Sequence, residues 1–136
     1  MDLETSMRIA AAGMKVQSAR MRVTSENLAN AQSTATEPGG DAYRRKTISF
    51  TNRLERALGA ELVEIERYGR DASALPLRYE PTHPAADETG HVSYPNVNPL
   101  IEIMDMREAQ RSYEANLSTM RQARGMLQRM LEVLRA

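Results

Sequence analysis

The chain contains no cysteine, which excludes a disulfide framework, a thiolate nucleophile and a sulfur-ligated metal site, and leaves the redox compartment unconstrained. It has no tryptophan and a single phenylalanine in 136 residues, so no core can be built around large aromatic side chains. Nine methionines and frequent alanine take that role, a choice suited to seams between helices, where small residues let backbones approach and flexible thioethers fill uneven gaps. An excess of one charge is also lacking. Eighteen basic residues balance eighteen acidic ones, which removes the overall electrostatic footprint expected of a nucleic-acid or anionic-membrane binder and points to protein partners. No apolar run approaches the roughly 20 residues of a membrane span. The start lacks a basic region followed by an apolar stretch and a cleavage site, so export would not use a conventional cleaved signal.

No proline interrupts either end segment. All six prolines, and most of the glycines, fall between Pro38 and Pro99, which divides the chain into an N-terminal helix over 1–31, a middle over 32–97 and a C-terminal helix over 98–136. The expected fold class is mainly α: long N- and C-terminal helices packed as a coiled-coil-like pair, with a short, irregular, hairpin-containing middle.

The first helix opens with Asp2 as N-cap and Glu4 in the first turn, where acids favour the positive helix end. Met7, Met14, Met21 and Leu28 recur every seven residues and form, with Leu3, Ala10 and Ala11, one seam. Ile9, Val16 and Val23 recur at the same interval two residues away, which at about 100° per residue puts them nearly opposite. Two opposed stripes predict partners on both flanks. The second helix starts at Asn98-Pro99, an N-cap type followed by the residue best tolerated at the first helical position. Ile103, Met106, Ala109, Tyr113, Leu117, Met120, Leu127, Leu131 and Leu134 keep three- and four-residue spacing. Acids Glu102, Asp105 and Glu108 lie early and Arg121, Arg124, Arg129 and Arg135 late, in the order the helix dipole favours. At about 1.5 Å per residue such a helix exceeds 50 Å, longer than a small domain is wide. What its mate leaves uncovered must meet other chains. Together the two stripes and this helix define an assembly interface.

The middle offers short strand-like runs at 47–50, 62–65, 75–79 and 91–94, enough for a small hairpin or two. Candidate chemistry there is thin. His83, Asp87, Glu88 and His91 are metal-ligand types, but in a proline-rich loop they read as solvated residues. Arg44-Arg45-Lys46 after Tyr43 is a short basic run that suits a solvated or ion-paired patch better than phosphate binding. Gly39-Gly40 lacks the spacing of a phosphate loop, and neither Ser–His pairs nor paired carboxylates have a catalytic context. No enzyme, cofactor or metal is expected.

One cluster goes beyond these local readings. Asn27-Leu28-Ala29-Asn30 ends the first helix and is followed by Pro38-Gly39-Gly40 and Tyr43-Arg44-Arg45. Locally this is a helix end, a turn and a strand start. In order and position it resembles the signature of bacterial flagellar basal-body rod proteins. Tyr94-Pro95-Asn96-Val97-Asn98, Glu102, Met104-Asp105-Met106 and Arg111-Ser112-Tyr113-Glu114-Ala115-Asn116 look like the tail of the same family. The Pro-Gly-Gly insertion and the Tyr-Pro-Asn-Val run point within it to the proximal-rod, FlgC type. Asp41-Ala42 stands where the family places a glycine directly before the tyrosine.

The resemblance implies a structural subunit of the axial shaft that crosses the periplasm and transmits motor torque, exported through the flagellar type III gate. It also implies terminal helices that are disordered in the monomer and order against neighbouring rod proteins, the export-gate adaptor at the rod base and further copies of the chain, with neither nucleic-acid binding nor membrane insertion. A coiled-coil adaptor or export chaperone is the alternative from another class, and a small hydrolase using His83 and His91 a more distant one.

Overall fold

The computed structural model describes residues 2–136. In chain order the elements are α1 (Leu3–Ala29), β1 (Lys46–Glu55), β2 (Ala60–Arg70), β3 (Leu77–Tyr79), β4 (His91–Ser93) and α2 (Pro99–Arg135). The two helices of 27 and 37 residues give the mainly α architecture expected, within two residues of the expected boundaries. Both predicted N-caps are in place. The Thr5 amide donates to Asp2 Oδ1 at 2.7 Å, and the Leu100 amide to Asn98 Oδ1 at 3.1 Å; each side chain satisfies a helix donor that has no partner within the helix. Residue contacts group into two compact units. One comprises 2–21, 49–67 and 107–136, the other 22–48 and 68–106.

In the first unit α1 and α2 run antiparallel, with Gly13 beside Asn116 and Arg20 hydrogen-bonded to Glu108 at 3.3 Å. The buried positions are small: Ala10, Val16 and Ala19 on α1, Ala109 and Ala123 on α2. Small residues at the contact allow close backbone approach. Gly13 is the extreme case, since a Cβ there would lie 2.6 Å from Asn116 Nδ2, whose amide donates to the Ser112 carbonyl at 3.0 Å. We expect Gly13→Ala to lower the melting temperature of the parent chain. In an Asn116→Ala background the clash is gone and only the helix-propensity gain of about 1 kcal/mol remains, so the sign should reverse. Thermal melts of the four variants test this; a gain in both backgrounds would contradict the close approach.

The hairpin over 49–67 lies along α1, where Leu62, Val63 and Ile65 line a cavity of about 310 Å³ together with Ala12 and Val16. The partner of the Val16 side of α1 is thus a strand of its own chain. β1 and β2 form a two-stranded sheet closed by a short loop in which Gly59 has φ 61°, a left-handed conformation that glycine adopts without strain. These strands, of 10 and 11 residues, are longer than the runs legible at 47–50 and 62–65. The added segments, Thr51 to Leu54 and Glu66 to Tyr68, are exposed on both faces. Nothing forces the apolar alternation there by which a half-buried strand is recognised.

In the second unit β3 and β4 pair antiparallel with Leu77 opposite Ser93 and Tyr79 opposite His91, over a small core of Ala85, Val92 and Tyr94. The turn before β4 is held by Asp87. Its Oδ1 accepts from the Thr89 hydroxyl at 2.7 Å and from the Thr89 and His91 amides, each at 2.9 Å. The Thr89 hydroxyl, with these amides, holds the Asp87 carboxyl below its ordinary value of 3.8. A carboxyl depressed on folding adds stability above its unfolded value and loses it as pH falls through the folded one. Amide exchange at Thr89 and His91 should therefore accelerate selectively below about pH 4. The Asp87→Asn variant should show no such step.

Candidate functional site

Asn27, Tyr43, Arg45, Asn96 and Glu102, among the residues that carried the family resemblance, converge in the second unit on one polar clasp, whereas Tyr113 and Asn116 lie on α2 in the first unit. Asn27, near the end of α1, is fully buried. Its Oδ1 accepts from the Lys46 amide at 2.8 Å and the Tyr43 hydroxyl at 2.8 Å, and its Nδ2 donates to the Lys46 carbonyl at 2.9 Å and Glu102 Oε2 at 3.2 Å. Every bonding position of the amide is used. Burial, set against the pull of the Lys46 cation, pushes the Tyr43 hydroxyl above its ordinary value, so it remains a donor at neutral pH.

Glu102, one turn into α2, is also fully buried. Arg45 donates from Nε to Glu102 Oε1, and its Nη2 lies 3.6 Å from Asp105 Oδ2. Two acids one turn apart on α2 thus grip one guanidinium. The backbone of Arg45 is fixed as well, its amide donating to Asn96 Oδ1 at 2.8 Å and its carbonyl accepting from the Asp71 amide at 2.8 Å. Asn96 in turn donates to the Asp71 carbonyl and to Ser73 Oγ at 2.9 Å.

The basic run is therefore spent internally. Arg44 donates to the Ser73 carbonyl at 3.1 Å, Arg45 serves Glu102, and Lys46 Nζ meets Glu26 Oε2 at 2.7 Å. Hydrogen bonding to Glu26 raises the Lys46 ammonium above its ordinary value, so it stays charged at neutral pH. Other residues of the motif make separate contacts. Asn30 Nδ2 caps the Glu26 carbonyl at 2.9 Å and its Oδ1 accepts from Ser33. Tyr94 is buried beneath Arg78, 4.2 Å from its ring centroid, and donates to Glu80 at 3.0 Å. Pro95 is buried, Leu28 half-buried and Ala29 exposed.

His83, Asp87 and His91 are otherwise engaged, and Glu88 is exposed. His83 Nδ1 accepts from the Ala85 amide at 3.0 Å, and His91 packs edge-on against Tyr79. Among the described residues there is no group of three His, Asp or Glu side chains arranged to hold a metal ion. No described helix is long and apolar enough to cross a membrane.

The residues expected at an assembly interface divide by exposure. Val16 and Val23 are buried, and Met7, Ile9, Met14, Met21, Leu28, Met106, Tyr113, Leu117 and Met120 are half-buried. Ile103, Leu127, Leu131 and Leu134 are exposed by 41, 41, 48 and 80%. Leu100, Met104, Met126, Met130 and Val133 extend the uncovered apolar surface at both ends of α2. Periodicity marked Ile103 and Leu134 as apolar positions. It missed Glu102 as a buried anchor, because an acid in a first turn reads as a favourable dipole contact and nothing more.

Comparison with known proteins supplies an independent line. Residues 88–133 match the model of the flagellar basal body rod FlgEFG protein C-terminal region. Among curated proteins, the chain is 47% identical over 134 residues to the flagellar basal-body rod protein FlgC of Agrobacterium fabrum, covering 98% of this chain and 96% of the relative. It is 36% identical to FlgC of Bacillus subtilis, covering 94% and 95%, and 34% identical to FlgC of Salmonella typhimurium, covering 88% of each.

Proposed function

Because the chain belongs to the FlgC family of flagellar basal-body rod proteins, in which it is a structural rod component, we propose that it carries motor torque through its terminal helices. The observation that carries this reading is the uncovered apolar surface at both ends of α2. Apolar side chains exposed in such number on one helix mark a surface that is covered in the working state. Those faces meet other rod proteins, further copies of the chain and, at the rod base, the export-gate adaptor.

The clasp gives the reading a mechanical basis. A load entering through a helix reaches the middle segment through a network of oriented bonds to Asn27 and Glu102, and such a network has one geometry. The subunit works without catalysis or a cofactor. It reaches the periplasm through the flagellar export gate, and it remains outside the bilayer. The uncovered turns of α2 are the segments that order on assembly.

Complementation tests the reading. In cells lacking their own copy, the chain should restore swimming and co-purify with isolated basal bodies. Its circular dichroism as a monomer should show less helix than the 27 and 37 residues of the folded form. Failure to enter basal bodies would sink the reading, and full helicity in the monomer would sink the proposed ordering.

A further inference from the structure

Resting on the rod reading, we infer that an acidic double turn in the middle segment of one copy seats in a cationic recess beside β1 and β2 of the next. Both patches lie in the second unit, and neither includes the apolar end of α2.

The recess, of about 340 Å³, is lined by Arg22 and Glu26 of α1, Lys46 of β1, and Tyr68, Gly69 and Arg70 of β2. Its β2 wall is bare backbone at Gly69, where a Cβ would lie 2.9 Å from Thr47 Oγ1. Three cations there face one acid. Glu26 is taken up by Lys46 at 2.7 Å, and among the described residues no acid pairs with Arg22 or Arg70. Arg70 stands close enough to Lys46 to oppose its protonation. Repulsion of this kind is relieved by an incoming carboxylate, which the planar fork of an arginine is shaped to receive.

The acidic patch is made by two turns that pack together. Gly39, with φ 71°, turns the chain between Glu37 and Asp41, and its amide donates to the Ala85 carbonyl at 3.2 Å. A Cβ at Gly39 would lie 3.7 Å from that of Asp87, so the first turn sits beside Asp87 and Glu88. Glu37, Asp41 and Glu88 are exposed, and among the described residues none has a cation paired with it. No lysine or arginine occurs in 31–42 or 79–94. The bonds of Asp87 to Thr89 and His91 hold the second turn. A patch already fixed in shape loses little freedom on docking.

A second copy is the occupant that fits. The chain is neutral overall, yet it keeps unpaired cations in one place and unpaired acids in another, and each patch is the complement of the other. Recess against recess, or turn against turn, would juxtapose like charges, so both two-fold pairings are disfavoured. A contact between two different patches is heterologous, and copies related by it form an open series, the arrangement a rod subunit requires. Exposed ion pairs are individually weak and screened by salt. The contact therefore orients and selects neighbours more than it holds them.

Charge reversal tests this in full-length chains expressed in cells lacking the native copy. The recess variant carries Arg22→Glu and Arg70→Glu, and the turn variant Glu37→Lys and Glu88→Lys; none of the four positions belongs to the clasp. Each variant alone should be several-fold less abundant in isolated basal bodies than the parent chain. All four substitutions in one chain should restore the amount. Co-expression of the two variants should restore it too, because in alternating copies every recess then faces a turn of opposite sign. Thermal melts of the purified chains, expected to match the parent, separate loss of contact from loss of fold; where a melt falls, glutamine replaces the reversed residue. Full incorporation of either variant alone would overturn the inference. Loss that neither combination rescues would overturn it in favour of another rod protein as the occupant, and rescue within one chain but not by co-expression would confine the attraction to a single copy. Absence of the unmutated chain from basal bodies would overturn the rod reading itself.

Discussion

Replacing Asn27 with alanine should cost about 3–5 kcal/mol, because it strands several buried groups at once, each worth about 1–3 kcal/mol when left without a partner. The Lys46 amide and carbonyl, the Tyr43 hydroxyl and Glu102 Oε2 all bond this one side chain. The loss is comparable to the lower end of the 5–15 kcal/mol that typically holds a domain together. Asn27→Asp tests chemistry against shape. It keeps an acceptor for the Lys46 amide and Tyr43, but it loses the donor and places a second carboxylate beside the buried Glu102, so it should be no better than alanine. Urea titration followed by the tyrosine signal, with amide exchange at Lys46, measures both variants. A cost below 1 kcal/mol for Asn27→Ala would mean that water or a neighbour replaces the amide readily, and the clasp would lose its structural role.

The second large effect concerns Arg45 and Glu102. Removing one member of a buried ion pair leaves an uncompensated charge and typically costs about 3–5 kcal/mol, whereas replacing both with apolar groups of similar volume is often neutral. Arg45→Met should therefore be severe, because Glu102 has no exposed surface. Glu102→Leu alone leaves Arg45 with Asp105, 3.6 Å away, and a side chain that is one quarter exposed, so it should be milder. The double variant should recover part of the loss from Arg45→Met, the remainder being the buried Asn27 Nδ2 donor left without Glu102. Arg45→Lys should not rescue, since a lysine ammonium cannot reproduce the fork that addresses two carboxylates. Stabilities of the four chains form a double-mutant cycle. Additive losses would show that the pair is not coupled. In cells, Arg45→Met should reduce the amount of chain in basal bodies, and the double variant should restore amount before function if oriented bonding carries load.

How much of this was legible in the sequence follows from what kind of force acts at each residue. Asn98-Pro99 and Asp2 announced helix starts because capping is local, read from residue types at fixed offsets. Val16 and Val23 were visible as an apolar stripe, but periodicity records only that a face is buried. That the cover over Val16 is Leu62, Val63 and Ile65 of the chain's own hairpin is a long-range fact without a local trace. Asn27 and Glu102 were inaccessible to pattern in a stricter sense, since a polar residue is by default assigned to solvent. Their burial makes sense only once Lys46, Tyr43 and Arg45 are known to arrive. The resemblance to rod proteins picked out these positions as a motif without saying what they do. The geometry gives the reason: the motif lies where helix, turn and strand are tied together.

The bidentate grip of Asn27 on Lys46 has one further consequence. Within a strand, the amide and carbonyl of one residue point to the same side, and those of the next residue to the other. Arg45 directs its carbonyl to the amide of Asp71, the residue that directly follows β2, and so towards the β2 side of β1. Lys46 faces the opposite side and meets the Asn27 amide there, so a helix side chain takes the place that a neighbouring strand would fill. The outer edge of β1 is thereby closed at its first rung. Exposed edges of long two-stranded ribbons are templates for unwanted strand addition. A ribbon of this length gains from having the edge blocked by the chain's own side chain where β1 begins.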